Sequence, residues 1–480
     1  MTLAEKRALM VVRETHPEHS PIEMLLRDIF VFAIVSKSAD VHITEVDERG
    51  RKCVKVSVRT NNGFINEVFE DENIERFRTK MFDLCGVAQG GSTQSIISTR
   101  FSMQLPSWFA TSHGLSPKDQ QPYDVDVRVQ YNKLCDGSSF VCRLLDQQRT
   151  PKLDELGFSY SVLRTIKAIC AEPCGLVLVT GPTGSGKTTL MHAILEIFNN
   201  GQYSINTVEN PVELRIKGDG PIKQIQTSNE ITFASALRSL MRMDPDVILI
   251  GEIRDCETME IAIQAAQTGH KVFATIHANS AAEAYSRALD LTVDKTRDAL
   301  RLAEVLRMVI ATRLLKTYSG AVVQRKLSGE EREWLSLSGL GILENIRETA
   351  SQERCGKQAI VEVIETSQDI RNILRSGVVD SSQIYRVASS QEQHESLVMA
   401  GVRAVTSQNC HMSEVMQSLD PASNAQVYPG MRIDHLKASG LDLAELNAQI
   451  DVWKVGRERG HRVGLDVFLR DQTKDKEEAF

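Results

Sequence analysis

The chain lacks any apolar run long enough to cross a membrane. The longest near the N-terminus, "IFVFAIV" (Ile29 to Val35), has seven residues, against the ~20 that a spanning helix needs. The first twenty residues, "MTLAEKRALMVVRETHPEHS", mix both signs of charge and offer no apolar core for a signal peptide. None of the nine cysteines forms a CxxC pair, and their number is odd, which argues against a disulfide framework and against a four-cysteine zinc site. Cys170 and Cys174, four positions apart, read as packing thiols, and all nine are expected to be reduced. A long Lys/Arg run is also missing, and the formal net charge is −7, so a nucleic-acid tracker finds no support. There is no aromatic-basic interleaving of the kind a single-strand motor uses. The expectation is a cytosolic protein whose membrane association comes through a partner.

With 480 residues, 42% hydrophobic and 25% charged, the chain falls among soluble globular proteins of two or three domains. No internal repeat is visible. After an N-terminal segment (1–20), residues 21–146 carry strand-like stretches such as "VKVSVRT" and "VDVRVQYN" between Gly/Asp/Asn turns, a mixed α/β pattern. Residues 147–158, which carry most of "DQQRTPKLDELG", read as a linker. From 159 short apolar runs alternate with helical patterns, as in a parallel sheet covered by helices. This catalytic candidate, with a helical C-terminal part, extends to about residue 400. "IVEVIETSQDIRNILRSG" and "SEVMQSL" read as helical, and 401–480 as a C-terminal extension ending in the charged tail "RDQTKDKEEAF".

The sharpest signal is "GLVLVTGPTGSGKTTLMHAILEIFN". A buried strand, Leu176 to Val179, leads into Gly181, Thr183, Gly184, Ser185, Gly186, Lys187, Thr188 and Thr189, then into a helix with Leu190, Ile194 and Ile197 at helical spacing. This is GxxxxGK[ST] in its required strand-loop-helix context. Backbone N–H groups converge on phosphate oxygens, Lys187 reaches the β and γ phosphates, and Thr188 offers a Mg²⁺ ligand. The expected cofactors are ATP and Mg²⁺, with no zinc.

In "MDPDVILIGEIRD", Val247 to Ile250 reads as a strand that delivers Glu252 to the edge where ligands bind. Gly251 stands where a Walker B aspartate is usual, so Glu252 must hold the Mg²⁺ shell or its water alone. Asp255 reads as the cap of a helix with Met259, Ala262, Ile263 and Ala266 on one face, ended by Gly269. In "TVENPVELR", Glu209 and Glu213 flank Pro211, and either could orient or deprotonate the attacking water; spacing does not choose. In "TGHKVFATIHANSA" His270 and His277 bracket a strand and would lie ~23 Å apart, which excludes a shared metal.

Together these blocks resemble the secretion ATPases of type II secretion, type IV pili and the related conjugative systems. The phosphate loop matches, "TVENPVE" resembles the Asp box, "LRSLMRMDPDVILIGEIRDCETMEIAIQAAQTGH" the atypical Walker B, and "TGHKVFATIHAN" the His box. "SADVHI" (Ser38 to Ile43) and "YDVDVRVQYNKLCDGSSFVCRLL" resemble the family's N-terminal domain, and "IRNILRSG" (Ile370 to Gly377) a C-terminal helix. The resemblance covers about 350 residues with very specific motifs.

It implies a PAS-like N-terminal domain followed by a RecA-like ATPase domain. His277 then falls where the family reaches toward the γ-phosphate, and His270 couples the same strand to the rest of the motor. Glu213 matches the catalytic base, with Glu209 in support, and Asn210 departs from the usual aspartate. Arg128 and Arg143 match arginine fingers, or are ordinary strand arginines. Arg238 and Arg242 either complete the site or pair with acids.

The resemblance further implies a homo-hexamer at the inner face of the bacterial inner membrane, acting on a platform protein through a stroke in the linker, with no direct nucleic acid. The first matching domain begins near residue 20 and the four-cysteine insertion of assembly members is missing, while the chain exceeds a minimal retraction ATPase at its C-terminus. The expectation is a short, zinc-free type IV pilus assembly ATPase or a type II-like secretion motor. Conjugative or effector-delivering type IVB secretion and pilus retraction come next. Outside the family stand a nucleic-acid motor and a GTPase-type switch; for the latter, "NKLCD" at Asn132 precedes the loop and sets its aspartate one place too far.

Overall fold

The computed structural model describes residues 21–419, except 37, 39, 49–50, 61–62, 71–73, 88–95, 107–109, 112–122, 136, 147–150, 229, 338–342, 344, 392–393 and 408. The N-terminal segment, residues 147–150 of the linker and the C-terminal extension from 420 lie outside the described residues. The chain divides into two units, 1–150 and 151–480.

In the first unit six strands form one antiparallel sheet in the order β3-β2-β1-β6-β5-β4. They are β1 (Asp40–Glu48), β2 (Arg51–Thr60), β3 (Gly63–Glu70), β4 (Ile96–Leu105), β5 (Tyr123–Lys133) and β6 (Ser138–Asp146). Helices α1 (Pro21–Val35) and α2 (Ile74–Leu84) supply Leu26, Ile29, Phe30, Phe77 and Met81 to a core shared with Val41, Val56, Val125, Val127 and Val129. Side chains alternate along a strand, so burying Val127 and Val129 turns Arg128 to the other face. There Arg100, Arg128 and Arg143 stand opposite one another across β4, β5 and β6, and Arg143 opposes Asp40 of β1. Arg143 Nε donates to Asp40 at 3.0 Å.

The second unit holds a seven-stranded sheet, β15-β12-β7-β11-β10-β8-β9. Its strands are β7 (Gly175–Thr180), β8 (Ile205–Glu209), β9 (Ile222–Gln226), β10 (Val247–Ile250), β11 (Lys271–Ile276), β12 (Leu306–Tyr318) and β15 (Arg354–Glu365). All neighbours pair parallel except β12 and β15. The covering helices are α3 (Tyr160–Ala171), α4 (Lys187–Leu195), α5 (Phe233–Leu240), α6 (Cys256–Gln267), α7 (Ala281–Asp290) and α8 (Lys295–Val305).

The apolar runs of the central strands are continuous because both faces are buried. Leu176, Leu178, Ile248, Ile250, Val272 and Ala274 pack toward α5, α6 and α7. Val177, Val179, Val247, Leu249 and Phe273 pack toward α3 and α4. Helix α6 starts at Asp255, whose carboxylate accepts from Thr258 N at 2.8 Å, and ends before Gly269 at φ 101°, a conformation that costs glycine little.

One reading of the C-terminal region needs correction. "IVEVIE" is the last half of β15, not helix, and only α10 (Gln368–Arg375) follows the helical pattern. Six residues with β-branched pairs at 360–361 and 363–364 fit either period, and the free edge of β12 supplies the pairing that decides for strand. β12 runs on to Tyr318, past the end of its partner β7. A small two-stranded sheet of β13 (Val322–Lys326) and β14 (Asn345–Thr349), with α9 (Gly329–Leu337) between them, precedes β15. Helices α11 (Ser381–Ala388), α12 (Leu397–Ser407) and α13 (Met412–Ser418) complete the described chain.

Candidate active site

Parallel pairing brings the carboxyl ends of β7, β11, β10 and β8 to one edge of the sheet, in that order. At the end of β7 the phosphate loop turns through Gly181 at φ 145°, Gly184 at φ 76° and Gly186 at φ 92°. Gly181 is required twice over: beyond its φ, a Cβ there would lie 2.5 Å from Thr312 O of β12. Gly186 is the N-cap of α4 and has no side chain to cap it. The first N–H groups of α4, at Lys187, Thr188 and Thr189, therefore have no intrahelical acceptor and are aligned for an anion.

Lys187 Nζ donates to Gly181 O at 2.7 Å and to Pro182 O at 2.9 Å. Burial pushes its ammonium below the ordinary lysine pKa, Glu252 pulls it back up, Arg313 lowers it further and Glu213 raises it. The charges of Glu252, Arg313 and Glu213 thus bear on Lys187 through space. Glu252 Oε1 is 2.8 Å from His277 Nε2, and Glu252 Oε2 is 2.5 Å from Arg254. The hydrogen bond to Glu252 raises the pKa of Arg254.

Gly251 has a local cause. A Cβ there would sit 3.1 Å from Val208 O and 3.2 Å from Glu209 Cα, so an aspartate would need β8 to give way slightly. Glu209 is 4% exposed. Its Oε1 accepts from Thr207 Oγ1 at 2.6 Å and Gln224 Nε2 at 3.3 Å, and its Oε2 lies 3.7 Å from Nε2 of buried His192 on α4. Glu209 is thus held inside the domain, while Glu213, past Pro211, is half-buried at the edge. Asn210 between them is exposed.

His270, at the opposite end of β11, receives none of this chemistry. Its Nδ1 lies 2.9 Å from Ala265 O and 3.1 Å from Thr268 Oγ1, at the end of α6. Arg238 pairs with Glu257, tying α5 to the first turn of α6. Arg242 is exposed. Arg128 and Arg143 belong to the N-terminal unit.

Sequence reasoning missed several members of the site. Thr180 Oγ1 donates to Ala278 O at 2.8 Å and accepts from Ala278 N at 2.9 Å, which fastens the phosphate loop to the segment after His277. Thr275 Oγ1 donates to Gly251 O at 2.5 Å, fastening β11 to the residue before Glu252. Thr312 Oγ1 donates to Ser185 O at 3.0 Å. Arg313 and His192 carry no local motif.

The residues fit a Mg²⁺–nucleotide. Thr188 is half-buried at the head of α4 beside the aligned N–H groups, and the buried Ser185 Oγ has no partner among the described residues. No cluster of three or more His, Cys, Asp or Glu able to hold a metal occurs among the described residues. A Mg²⁺ ion in such sites takes one or two protein oxygens plus phosphate and water.

Residues 120–417 match the family model described as Type II/IV secretion system protein. The type II secretion system protein E of Xanthomonas campestris pv. campestris is 38% identical over 300 residues, 60% of this chain and 52% of that protein. The type IV pilus assembly ATPase PilB of Pseudomonas aeruginosa is 33% identical over 302 residues, 62% of this chain and 49% of that protein. The chain thus spans about half the length of these curated relatives. The fold is similar to that of the Legionella pneumophila ATPase DotB, with TM-score 0.60 and 18% identity over 85% of this chain and 97% of that chain. It is likewise similar to the ADP-bound pilus retraction motor PilT, with TM-score 0.57 and 22% identity over 85% and 99%. With the family model covering well over half of its residues, the chain belongs to the Type II/IV secretion system protein family.

Proposed function

We propose that this chain is a Mg²⁺-dependent ATP hydrolase, the hexameric motor of type IV pilus assembly or type II-like protein secretion, working at the cytoplasmic face of a bacterial inner membrane on a platform protein. The observation that carries this reading is the convergence at one sheet edge of the phosphate loop, the Glu252–His277 pair and Glu213. Among the described residues no helix is long and apolar enough to cross a membrane, which fits attachment through a partner.

Each residue has a separate task. The N–H groups at the head of α4 and the Lys187 ammonium bind the phosphates and stabilise the charge that grows on them as the terminal bond breaks. Thr188, and Glu252 through a water, would hold Mg²⁺, which neutralises phosphate charge when bound. Glu213 orients the attacking water from the rim of the site. Glu209 is a positioning residue: buried and bonded to Thr207 and Gln224, it fixes the end of β8 from which the Asn210–Glu213 segment departs.

The test is Mg²⁺-dependent ATP turnover across a range of protein concentrations, with Lys187→Ala and Glu213→Gln alongside. Specific activity rising steeply with concentration, and both variants inactive, is the expected result. Failure of the wild type to bind ATP would overturn the reading. Strong, saturable stimulation by single-stranded DNA would replace the secretion motor by a nucleic-acid motor.

A further inference from the structure

β12 forms one wall of the phosphate loop. Thr312 donates to Ser185 O, its carbonyl oxygen abuts Gly181, and Leu314 lies against Gly186. Arg313 stands between these two residues, half-buried, its side chain turned by strand alternation to the face opposite theirs, where past the end of β7 it reaches the segment after β11. Its guanidinium donates to Thr312 O at 2.9 Å and to Asn279 O at 2.5 Å. Among the described residues it makes no ion pair.

The acids nearest to it act only through space, because they are engaged elsewhere. Glu283 accepts from Asn279 N at 2.9 Å. Glu362, wholly buried, accepts from Tyr385 Oη at 3.0 Å and lies 3.1 Å from His394 Nε2. Burial lowers the pKa of Arg313, against the pull of Glu362, and Arg313 in turn lowers that of Lys187. Two partly desolvated cations thus act on one another through space while both donate to backbone carbonyls. Such an arrangement is costly in isolation and favourable beside a polyanion.

We propose that Arg313 is a phosphate ligand, the second cation of the nucleotide site, which grips the terminal phosphate of a nucleoside triphosphate. The proposal rests on the ATPase reading and deepens it. A guanidinium has five donors in a fixed fork suited to phosphate oxygens. Its bond to Asn279 O reaches a residue two positions beyond His277, and exchanging that carbonyl for a phosphate oxygen would transmit the presence of the terminal phosphate to the His277 segment. The chain then senses triphosphate against diphosphate through β12 and the segment after His277.

The experiment compares binding of ATP and ADP to the full chain, each with Mg²⁺, for wild type, Arg313→Gln, Arg313→Lys and Lys187→Ala. Hydrogen exchange of residues 277–280 is measured in parallel. Arg313→Gln is expected to weaken ATP binding ~10–100-fold, the range for a lost charge-assisted hydrogen bond, and ADP binding by no more than about twofold. Arg313→Lys is expected to recover part of the ATP affinity. ATP is expected to alter exchange at 277–280 in the wild type and not in Arg313→Gln.

An unchanged ratio of ATP to ADP affinity in Arg313→Gln overturns the proposal. So does a loss of both affinities together with a fall in melting temperature that Arg313→Lys does not repair. If the wild type binds ATP and Lys187→Ala does not, either of these results leaves the ATPase reading standing and removes Arg313 alone. If the wild type binds no nucleotide, both fall.

Discussion

His277 Nε2 lies 2.8 Å from Glu252 Oε1, joining the residue after β11 to the residue that follows β10 and Gly251. Arg254 holds the other carboxylate oxygen. The carboxylate is therefore oriented from two sides, and His277, whose side chain is 53% exposed, serves that orientation without carrying the fold. His277→Ala is expected to lower kcat ~10–100-fold with ATP affinity within about twofold of wild type and an unchanged melting temperature. Steady-state kinetics with a separate binding titration checks this. An equal loss of kcat and affinity would make His277 a ground-state binding residue instead.

Gly251 is set by β8. Adding a Cβ puts it 3.1 Å from Val208 O, a backbone atom that must shift slightly to admit it. Gly251→Asp, which restores the aspartate usual at a Walker B strand, is expected to destabilise the domain by about 1–3 kcal/mol, the cost of overpacking, and to lower turnover. Chemical denaturation of Gly251→Ala and Gly251→Asp reads the first effect. A stable, faster Gly251→Asp would show that β8 yields and that the glycine has another cause.

How much of this was legible depends on sequence distance. The phosphate loop, the Glu252 strand and the His277 strand each announce themselves within about a dozen residues, because a parallel strand buried on both faces reads as an unbroken apolar run. The partners that fasten them do not. Thr180 meets Ala278 across 98 positions, and Thr312 meets Ser185 across 127, so nothing near Thr180, Thr312 or Arg313 marks them. Glu209 and Glu213 read as equivalent carboxylates, since burial of one and not the other comes from Thr207, Gln224 and the packing of α4. "IVEVIE" was ambiguous for a different reason: its strand identity comes from β12, not from its own composition.

Lys187 gives the unliganded protein a pH signature. Its pKa is below the ordinary lysine value of 10.5, so on folding it tends to lose a proton that the unfolded chain keeps. Stability from this residue must then rise with pH between its folded pKa and 10.5. Lys187→Met removes the cost, and is expected to be more stable than wild type at pH ~8 by a margin that shrinks toward the unperturbed lysine pKa of ~10.4. Urea denaturation of both proteins at several pH values tests the sign. A margin independent of pH would mean that Lys187 titrates as an ordinary lysine. A polyanion raises the pKa again, so saturating nucleotide is expected to reverse the order in favour of wild type.

The module between β12 and β15 is held by an ion-pair network. Arg325 binds Glu331 through both terminal nitrogens, at 2.8 and 2.6 Å, and Glu348 through Nε. Glu348 Oε1 accepts from Met412 N at 2.6 Å, which fastens β14 to α13. The hydrogen bond from Arg325 holds the Glu331 carboxyl below the ordinary glutamate range. One planar cation thus joins β13, α9 and β14, and lysine cannot make the same three contacts. Arg325→Ala is expected to cost about 1–3 kcal/mol, mostly from carboxylates left without their donor, and Arg325→Lys to recover little. A zinc chelator is expected to leave the melting temperature of the nucleotide-free protein unchanged, while lowering the pH through the glutamate range weakens the module by protonating Glu331. A chelator that melted the protein, with Arg325→Ala neutral, would move the source of cohesion from the guanidinium to a metal.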